Sequence, residues 1–375
     1  MDKAFFIFGP RGTGKSTWIK QNHTNAHVID LLPARGYLPY LKDPSLLEKE
    51  ILALDKKSWI VIDEIQKVPA LLSEVQNLME NHQYKNFILT GSSARKLRRG
   101  GGNLLAGRAS LRYLFALTAA ELNFSISLDQ LLNYGSLPSS INALSDQERS
   151  DFLNSYLETY LREEIREEGL VRDLGSFARF LDIAALASAQ VTNMQGIARD
   201  SGITRNTIRG FFEILEDTLL GRWLPAYRPR AKIKEIAHPK FYWFDVGVLN
   251  VIASRFRYSL PADWKGIMLE TWIHQELCAY IHYQKKGGSL RYWRTQSGTE
   301  VDFIWEKDDQ IIGIEVKSAD HYRSNFKKGI CALRKKLEVK ASYIVYLGTK
   351  KLYDDEIQIL PALTFVQELV KGNIL

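Results

Sequence analysis

Gly9-Pro10-Arg11-Gly12-Thr13-Gly14-Lys15-Ser16 fits the pattern G-x-x-x-x-G-K-[ST] at every fixed position. The pattern has chemical meaning only between a strand and a helix. Both flanks suit it. Ala4-Phe5-Phe6-Ile7-Phe8 is an apolar run of strand character, and Lys15–Gln21 can open a helix. Glycines let backbone N–H groups close around phosphate oxygens, and the helix N-terminus adds its dipole. Lys15 is placed to reach the β- and γ-phosphates, and the Ser16 hydroxyl to hold Mg²⁺. The expected binding segment for ATP with Mg²⁺ is therefore Gly9 to Thr17, that is Gly9, Pro10, Arg11, Gly12, Thr13, Gly14, Lys15, Ser16 and Thr17.

Further short apolar runs follow at Val28–Leu31, Trp59–Ile62, Phe87–Thr90 and Ser110–Leu114, with helical segments between them. Strands separated by helices imply a parallel α/β sheet. Trp59-Ile60-Val61-Ile62-Asp63-Glu64 puts two acids at the end of one such strand, on the sheet edge where ligands bind. Asp63 there can hold Mg²⁺ through water, and Glu64 can act as base on the attacking water. Phe87-Ile88-Leu89-Thr90-Gly91-Ser92-Ser93 ends in hydroxyls that can approach a γ-phosphate, or in a plain strand-to-helix turn. Residues 94–112 carry Arg95, Lys96, Arg98, Arg99, Arg108 and Arg112 and no acid. Most of these suit a solvated basic loop. Arg108, in Leu105-Ala106-Gly107-Arg108 before the last strand, is set apart as a group that can reach a neighbouring subunit's γ-phosphate.

Together, Gly9–Ser16, Asp63-Glu64, Leu89-Thr90-Gly91-Ser92 and Ala106-Gly107-Arg108 resemble the AAA+ ATPase core. The likeness is greatest to a bacterial and archaeal group in which that core is fused to a C-terminal region of uncharacterised function. The resemblance implies that Asp63 and Glu64 are the Walker B acids, that Ser92 or Thr90 is sensor 1, and that Arg108 is the finger. Many AAA+ proteins carry Asn where this chain has Ser92 or Thr90. No Gly-x-Arg sensor 2 pattern stands out, and Arg162 is the nearest substitute.

The remainder divides into a helical lid at 118–175, a helix-turn-helix with a wing at 176–240, and an α+β region at 241–375, after the core at 1–117. Met194–Ile208 reads as two short helices around Ser201-Gly202-Ile203. Thr204 caps the second helix, and Arg205, Asn206 and Arg209 face outward. Asn and Arg there suit base edges or phosphates, and Arg222–Lys240 suits a basic wing. Winged helices also serve as packing modules, so DNA contact and packing both stay open.

Near the C-terminus, Glu300-Val301-Asp302 precedes a turn and then Ile314-Glu315-Val316-Lys317. Alternate strand residues share a face, so Glu315 and Lys317 point together and Asp302 on the paired strand can join them. Two carboxylates and a lysine suit a Mg²⁺ site with Asp302 and Glu315 as ligands. With Glu270 on the preceding helix, the set resembles the PD-(D/E)xK nuclease core, which implies a restriction-endonuclease-like fold. Cleavage does not follow from the fold, because nuclease-like folds also persist as binding modules. His274, Cys278 and His282 lie four apart, but without a fourth ligand they read as a core-facing stripe.

The composition fits these readings. The chain has 375 residues, 45% apolar and 25% charged, which excludes a disordered chain and suits several domains. The 50 Lys and Arg against 43 Asp and Glu leave +7, which permits an acidic partner such as DNA without requiring one. Two cysteines, Cys278 and Cys331, cannot frame a disulfide scaffold. No apolar run reaches the roughly 18 residues of a membrane span. The expectation is a soluble cytoplasmic ATPase, free to form homo-oligomers, whose nucleotide state controls C-terminal DNA-binding and nuclease-like domains. The alternative is an ATP-sensing regulator whose nuclease-like region is inactive and holds a protein partner.

Overall fold

The computed structural model describes residues 4–91, 105–161, 173–228, 238–255 and 260–375. Ser92, Arg95, Lys96, Arg98, Arg99 and Arg162 lie outside the described residues. Where the sequence suggests four parts, the chain gathers into two compact units. One is residues 1–115 with 217–220, and the other is 116–216 with 221–375.

The first unit is a five-stranded sheet. Its strands are β1 (Ala4–Phe8), β2 (His27–Asp30), β3 (Ile60–Asp63), β4 (Phe87–Gly91) and β5 (Ser110–Tyr113). Their order is β2-β3-β4-β1-β5, and every pairing is parallel. The uninterrupted apolar run of β1 follows from its central place, buried on both faces. Phe6 and Phe8 join the main core with Ile60, Ile62, Phe87 and Leu89, whereas Phe5 and Ile7 pack on the other face with Ile19, Val61 and Ile88. Helices α1 (Lys15–Asn22), α2 (Ala34–Lys42), α3 (Leu46–Leu52) and α4 (Leu71–Glu80) fill the connections. Because all strands run one way, Gly9, Asp63-Glu64 and Thr90-Gly91 emerge at the same carboxyl edge. Arg108 precedes β5 and stands at the opposite edge.

The second unit begins with α5 (Leu128–Tyr134), α6 (Pro138–Asn142) and α7 (Asp146–Ser155). Helices α8 (Leu174–Leu186), α9 (Met194–Ser201) and α10 (Arg205–Asp217) follow, then the antiparallel pair β6 (Gly221–Leu224) and β7 (Lys240–Trp243). The expected boundary at 240 therefore cuts β7 away from its partner strand, and the one at 175 falls inside α8. Gly202 ends α9 in the left-handed region at φ 69°, and the Thr204 hydroxyl accepts from the Thr207 N–H at 3.3 Å. Ile197, Ile203, Ile208 and Phe212 are buried, while Arg205, Asn206 and Arg209 are exposed.

Past β7 come α11 (Val246–Ile252) and the long α12 (Ala262–Tyr283). A mixed six-stranded sheet then forms from β8 (Ser289–Arg294), β9 (Glu300–Lys307), β10 (Gln310–Lys317), β11 (Ala341–Tyr346), β12 (Leu352–Asp354) and β13 (Ile357–Pro361), in the order β12-β13-β11-β10-β9-β8. Helix α13 (Lys328–Arg334) lies between β10 and β11 in the chain, and α14 (Ala362–Val370) follows β13. The β9–β10 pair is the antiparallel hairpin that the polar turn predicts, and β10–β11 is parallel. No described helix is long and apolar enough to cross a membrane.

Candidate functional site

The phosphate-loop geometry starts from two glycines. Gly12 and Gly14 sit at φ 79° and 93°, a region open to glycine at no steric cost. Gly9 has a different reason to be small: a Cβ there would stand 2.6 Å from the Leu114 carbonyl oxygen. The loop is braced by the Thr13 hydroxyl, which donates to the Pro10 carbonyl at 2.9 Å. The Lys15 ammonium donates to the carbonyls of Gly9 and Pro10 at 2.7 and 3.1 Å, inside the curve of the loop. These groups fit a polyphosphate: a glycine-shaped loop leads into the N-terminus of α1, with a lysine within it.

The two magnesium candidates of this unit meet. The Ser16 hydroxyl donates to Asp63 Oδ2 at 3.0 Å. The other Asp63 oxygen accepts from the Thr90 hydroxyl, and Thr90 Oγ1 in turn accepts from the Glu64 N–H at 3.2 Å. A hydroxyl beside a carboxylate is the donor set that Mg²⁺ takes next to phosphates. Glu64 follows the strand in the left-handed region at φ 60°, and its side chain accepts from the Gln66 amide. A Cβ at Gly91 would sit 2.5 Å from Gln66 Oε1, so a glycine at the end of β4 makes room for that amide. Gln66 escapes a sequence reading because its link to Glu64 depends on the turn that the positive φ creates. Thr90 occupies the hydroxyl position beside Asp63, whereas Ser92 lies outside the described residues.

Arg108 forms a 2.5 Å ion pair with Glu80, the last residue of α4. It lies at the amino edge of the sheet, one strand length away from its own phosphate loop. With about 3.3 Å per residue, a four-residue strand separates the two edges by roughly 13 Å. In the finger role expected from the sequence, Arg108 would therefore serve a phosphate of another copy of the chain. In that role, Arg108→Ala is expected to lower ATP turnover per subunit at least about tenfold and to remove its dependence on protein concentration. The half-exposed Glu80 pair contributes little to stability, so melting should barely change. Full turnover in the variant assigns Arg108 to the Glu80 contact alone.

In the second unit, strand alternation brings Asp302, Glu315 and Lys317 together, with Glu270 beside them. Lys317 Nζ contacts Glu315 Oε1 at 2.5 Å. Asp302 Oδ2 accepts the Val316 N–H at 2.8 Å. Two further groups enter that the motif does not contain. Lys240, only 2% exposed, contacts Glu270 Oε1 at 2.9 Å, Asp302 Oδ1 at 3.7 Å and Glu300. Tyr242, two residues on along the same strand face, donates to Glu270 Oε1 at 2.5 Å. Within the stretch expected to form a basic wing, Lys240 is not a surface charge but an interior cation.

Charge and burial set the protonation of this cluster. Burial alone would lower Lys240, but Glu270, Tyr242, Asp302 and Glu300 outweigh it and hold the ammonium well above its ordinary range. Burial, assisted by Asp302, pushes Glu270 up to about 7 against the pull of Lys240. Burial, again with Asp302, holds Glu315 well above the carboxylate range against Lys317. Among the described residues, no three His, Cys, Asp or Glu side chains are arranged to hold a metal ion. The expected pair of metal ligands, Asp302 and Glu315, is brought together, but the nearest cations are lysines. His274 is a core residue: its ring stacks on Tyr242 at 4.2 Å, its Nε2 is 3.5 Å from Cys278 Sγ, and burial, then Arg222 and Lys240, push it down to about 3.

Comparison with known proteins divides the chain into three matched stretches. Residues 1–123 match a family described as an AAA domain, and residues 125–258 and 265–365 each match a domain of unknown function (DUF8612 and DUF4143). Uncharacterized proteins of Mycobacterium tuberculosis and Mycobacterium bovis are each 26% identical over 320 residues, spanning 83% of this chain and 69% of theirs. A solved signal-transduction ATPase with a tetratricopeptide repeat sensor, from Pyrococcus horikoshii, aligns at 13% identity and a TM-score of 0.25, over 76% of this chain and 46% of its own. This chain therefore spans under half of that structure's length. The AAA match covers the phosphate loop, the acid pair and Arg108, and together with the parallel sheet it supports an AAA-type P-loop domain in the first unit.

Proposed function

We propose that the chain is an ATP-hydrolysing switch. Its first unit turns over Mg²⁺-ATP, and its nucleotide state sets the activity of a DNA-binding second unit. The observation that carries the catalytic half is the continuous hydrogen-bonded line Ser16–Asp63–Thr90–Glu64–Gln66 at the mouth of the phosphate loop. Lys15 and the loop N–H groups bind the phosphates. Ser16 and Asp63 hold the metal, which when bound neutralises phosphate charge. Glu64 takes the proton of the attacking water. Lys15→Ala is expected to lower ATP affinity at least about tenfold and to remove turnover, since the lysine supplies a full charge next to the phosphates. Unchanged affinity and turnover in that variant, by calorimetry and phosphate release, end this reading.

The DNA half rests on the outward face of α10. Exposed Arg205, Asn206 and Arg209 follow a capped turn, and β6–β7 follows as the wing of a winged helix. In this reading the region from α12 onward is the restriction-endonuclease-like part. The alternative, a regulator whose nuclease-like part binds a protein partner and cuts nothing, gains from one observation: Lys240 stands among the carboxylates on which cleavage would depend. DNA binding that weakens steeply with salt separates the two, because it reports phosphate contacts.

A further inference from the structure

Lys240 is anchored from several sides. Its backbone pairs with Leu224 across the β6–β7 hairpin and bridges to Val191. The neighbouring His238 carbonyl accepts from the Tyr292 hydroxyl, and Tyr242 reaches Glu270. Burying an ammonium costs several kcal/mol unless opposite charges surround it. Here three carboxylates do so, through Glu270 Oε1, Asp302 Oδ1 and Glu300 Oε1. The second Asp302 oxygen is taken by the Val316 N–H, and Glu315 Oε1 by Lys317.

One polar atom of the cluster is left over. Among the described residues, Glu315 Oε2 is buried without a hydrogen-bond partner, in a side chain only 5% exposed. Glu315 and Lys317 line a cavity of about 330 Å³ with Glu300, Asn325 and Lys328. A cation would favour the ionised form of Glu315 and take that oxygen, whereas the Lys240 ammonium on the adjacent Asp302 repels one.

We propose that Lys240 is the resident counter-cation of the Glu270–Glu300–Asp302–Glu315 cluster, and that it keeps divalent metal out of the cluster while β7 is docked. Removing its charge then opens a metal site at Asp302 and Glu315. This rests on the nuclease-like reading of the region and deepens it, because it makes the wing strand the gate of the acidic site. A divalent ion and an ammonium competing for the same oxygens repel at short range, and the repulsion is little screened in a buried site.

The test uses the full chain without nucleotide and reads Mn²⁺ binding by electron paramagnetic resonance. Wild type should show no Mn²⁺ binding that Asp302→Asn removes. Lys240→Gln should gain a site at least about tenfold tighter than any in wild type, lost again in Lys240→Gln with Asp302→Asn. Wild-type binding that depends on Asp302 and matches the variant overturns the proposal. So does a folded Lys240→Gln protein with no Asp302-dependent site. If Lys240→Gln is unstable, Mn²⁺ should raise its melting temperature and leave that of wild type unchanged, because a ligand of the folded state stabilises it. Failure of millimolar Mn²⁺ to do so also overturns the proposal. DNA cleavage is scored separately. A gained Mn²⁺ site without cleavage keeps Lys240 as the gate and removes cutting from the function.

Discussion

Glu64→Gln should keep ATP bound, within about threefold of wild-type affinity, while hydrolysis falls by at least about 10²-fold, the lower range for loss of a general base. The substitution is close to isosteric, and the backbone of residue 64 is held by its own N–H to Thr90 Oγ1. Gln66 donates to a Glu64 oxygen, and an amide oxygen at the same place still accepts that bond. The loop, Lys15 and the Ser16–Asp63 pair are untouched, so phosphate and metal binding persist. What is lost is a group able to accept the proton of the attacking water. Phosphate release and nucleotide affinity, measured on the same preparation, decide the matter. Wild-type turnover in Glu64→Gln would move the base elsewhere, and lost affinity would make Glu64 a binding residue.

Local motifs were legible in proportion to how local their chemistry is. The loop at Gly9–Ser16 and the acids at Asp63-Glu64 read from sequence because strand and helix periods place them without long-range knowledge. The Ser16–Asp63 contact then follows from parallel strands sharing one carboxyl edge. The hydroxyl beside Asp63 could be narrowed only to Thr90 or Ser92, since a strand end does not say where the strand stops. β4 runs to Gly91, so Thr90 is still on the strand and reaches Asp63. Gln66 had no signal, because it meets Glu64 through a left-handed backbone turn at a non-glycine residue.

The same distinction governs the second unit. Alternation along β9 and β10 predicts that Asp302, Glu315 and Lys317 converge. Glu300, two residues before Asp302, was available to the same argument. Lys240 was not: it lies more than sixty residues before Asp302, in a stretch rich in basic residues, where solvation is the natural expectation. Only the docking of β7 turns it inward. The expected boundary at 240 follows a composition change, which marks a sequence segment and not a strand pairing such as β6–β7.

Glu276→Gln should stabilise the protein increasingly as pH rises. Glu276 lies on α12, only 2% exposed, and accepts the Ala119 N–H at 2.8 Å. Burial, assisted by the charge of Glu121 and opposed by the Ala119 bond, pushes its carboxyl from an ordinary 4.5 up to about 8. Between those values the folded chain keeps a proton that the unfolded chain has released. Wild type therefore loses stability as pH rises from about 4.5 to about 8, at up to about 1.4 kcal/mol per pH unit for one proton. The amide has no proton to lose and can still accept from Ala119, so the variant lacks this slope. The two proteins should be nearly equal near pH 4.5, with the variant ahead by about 2 kcal/mol or more near pH 8. Asp245, pushed up to about 6 by burial, and His274, pushed down to about 3 by burial, then Arg222 and Lys240, titrate alike in both proteins and cancel from the difference. Urea unfolding midpoints of both proteins across pH 5 to 9 measure it. A difference that stays flat with pH means that Glu276 is ionised in the fold, its charge carried by the Ala119 N–H and the α12 environment.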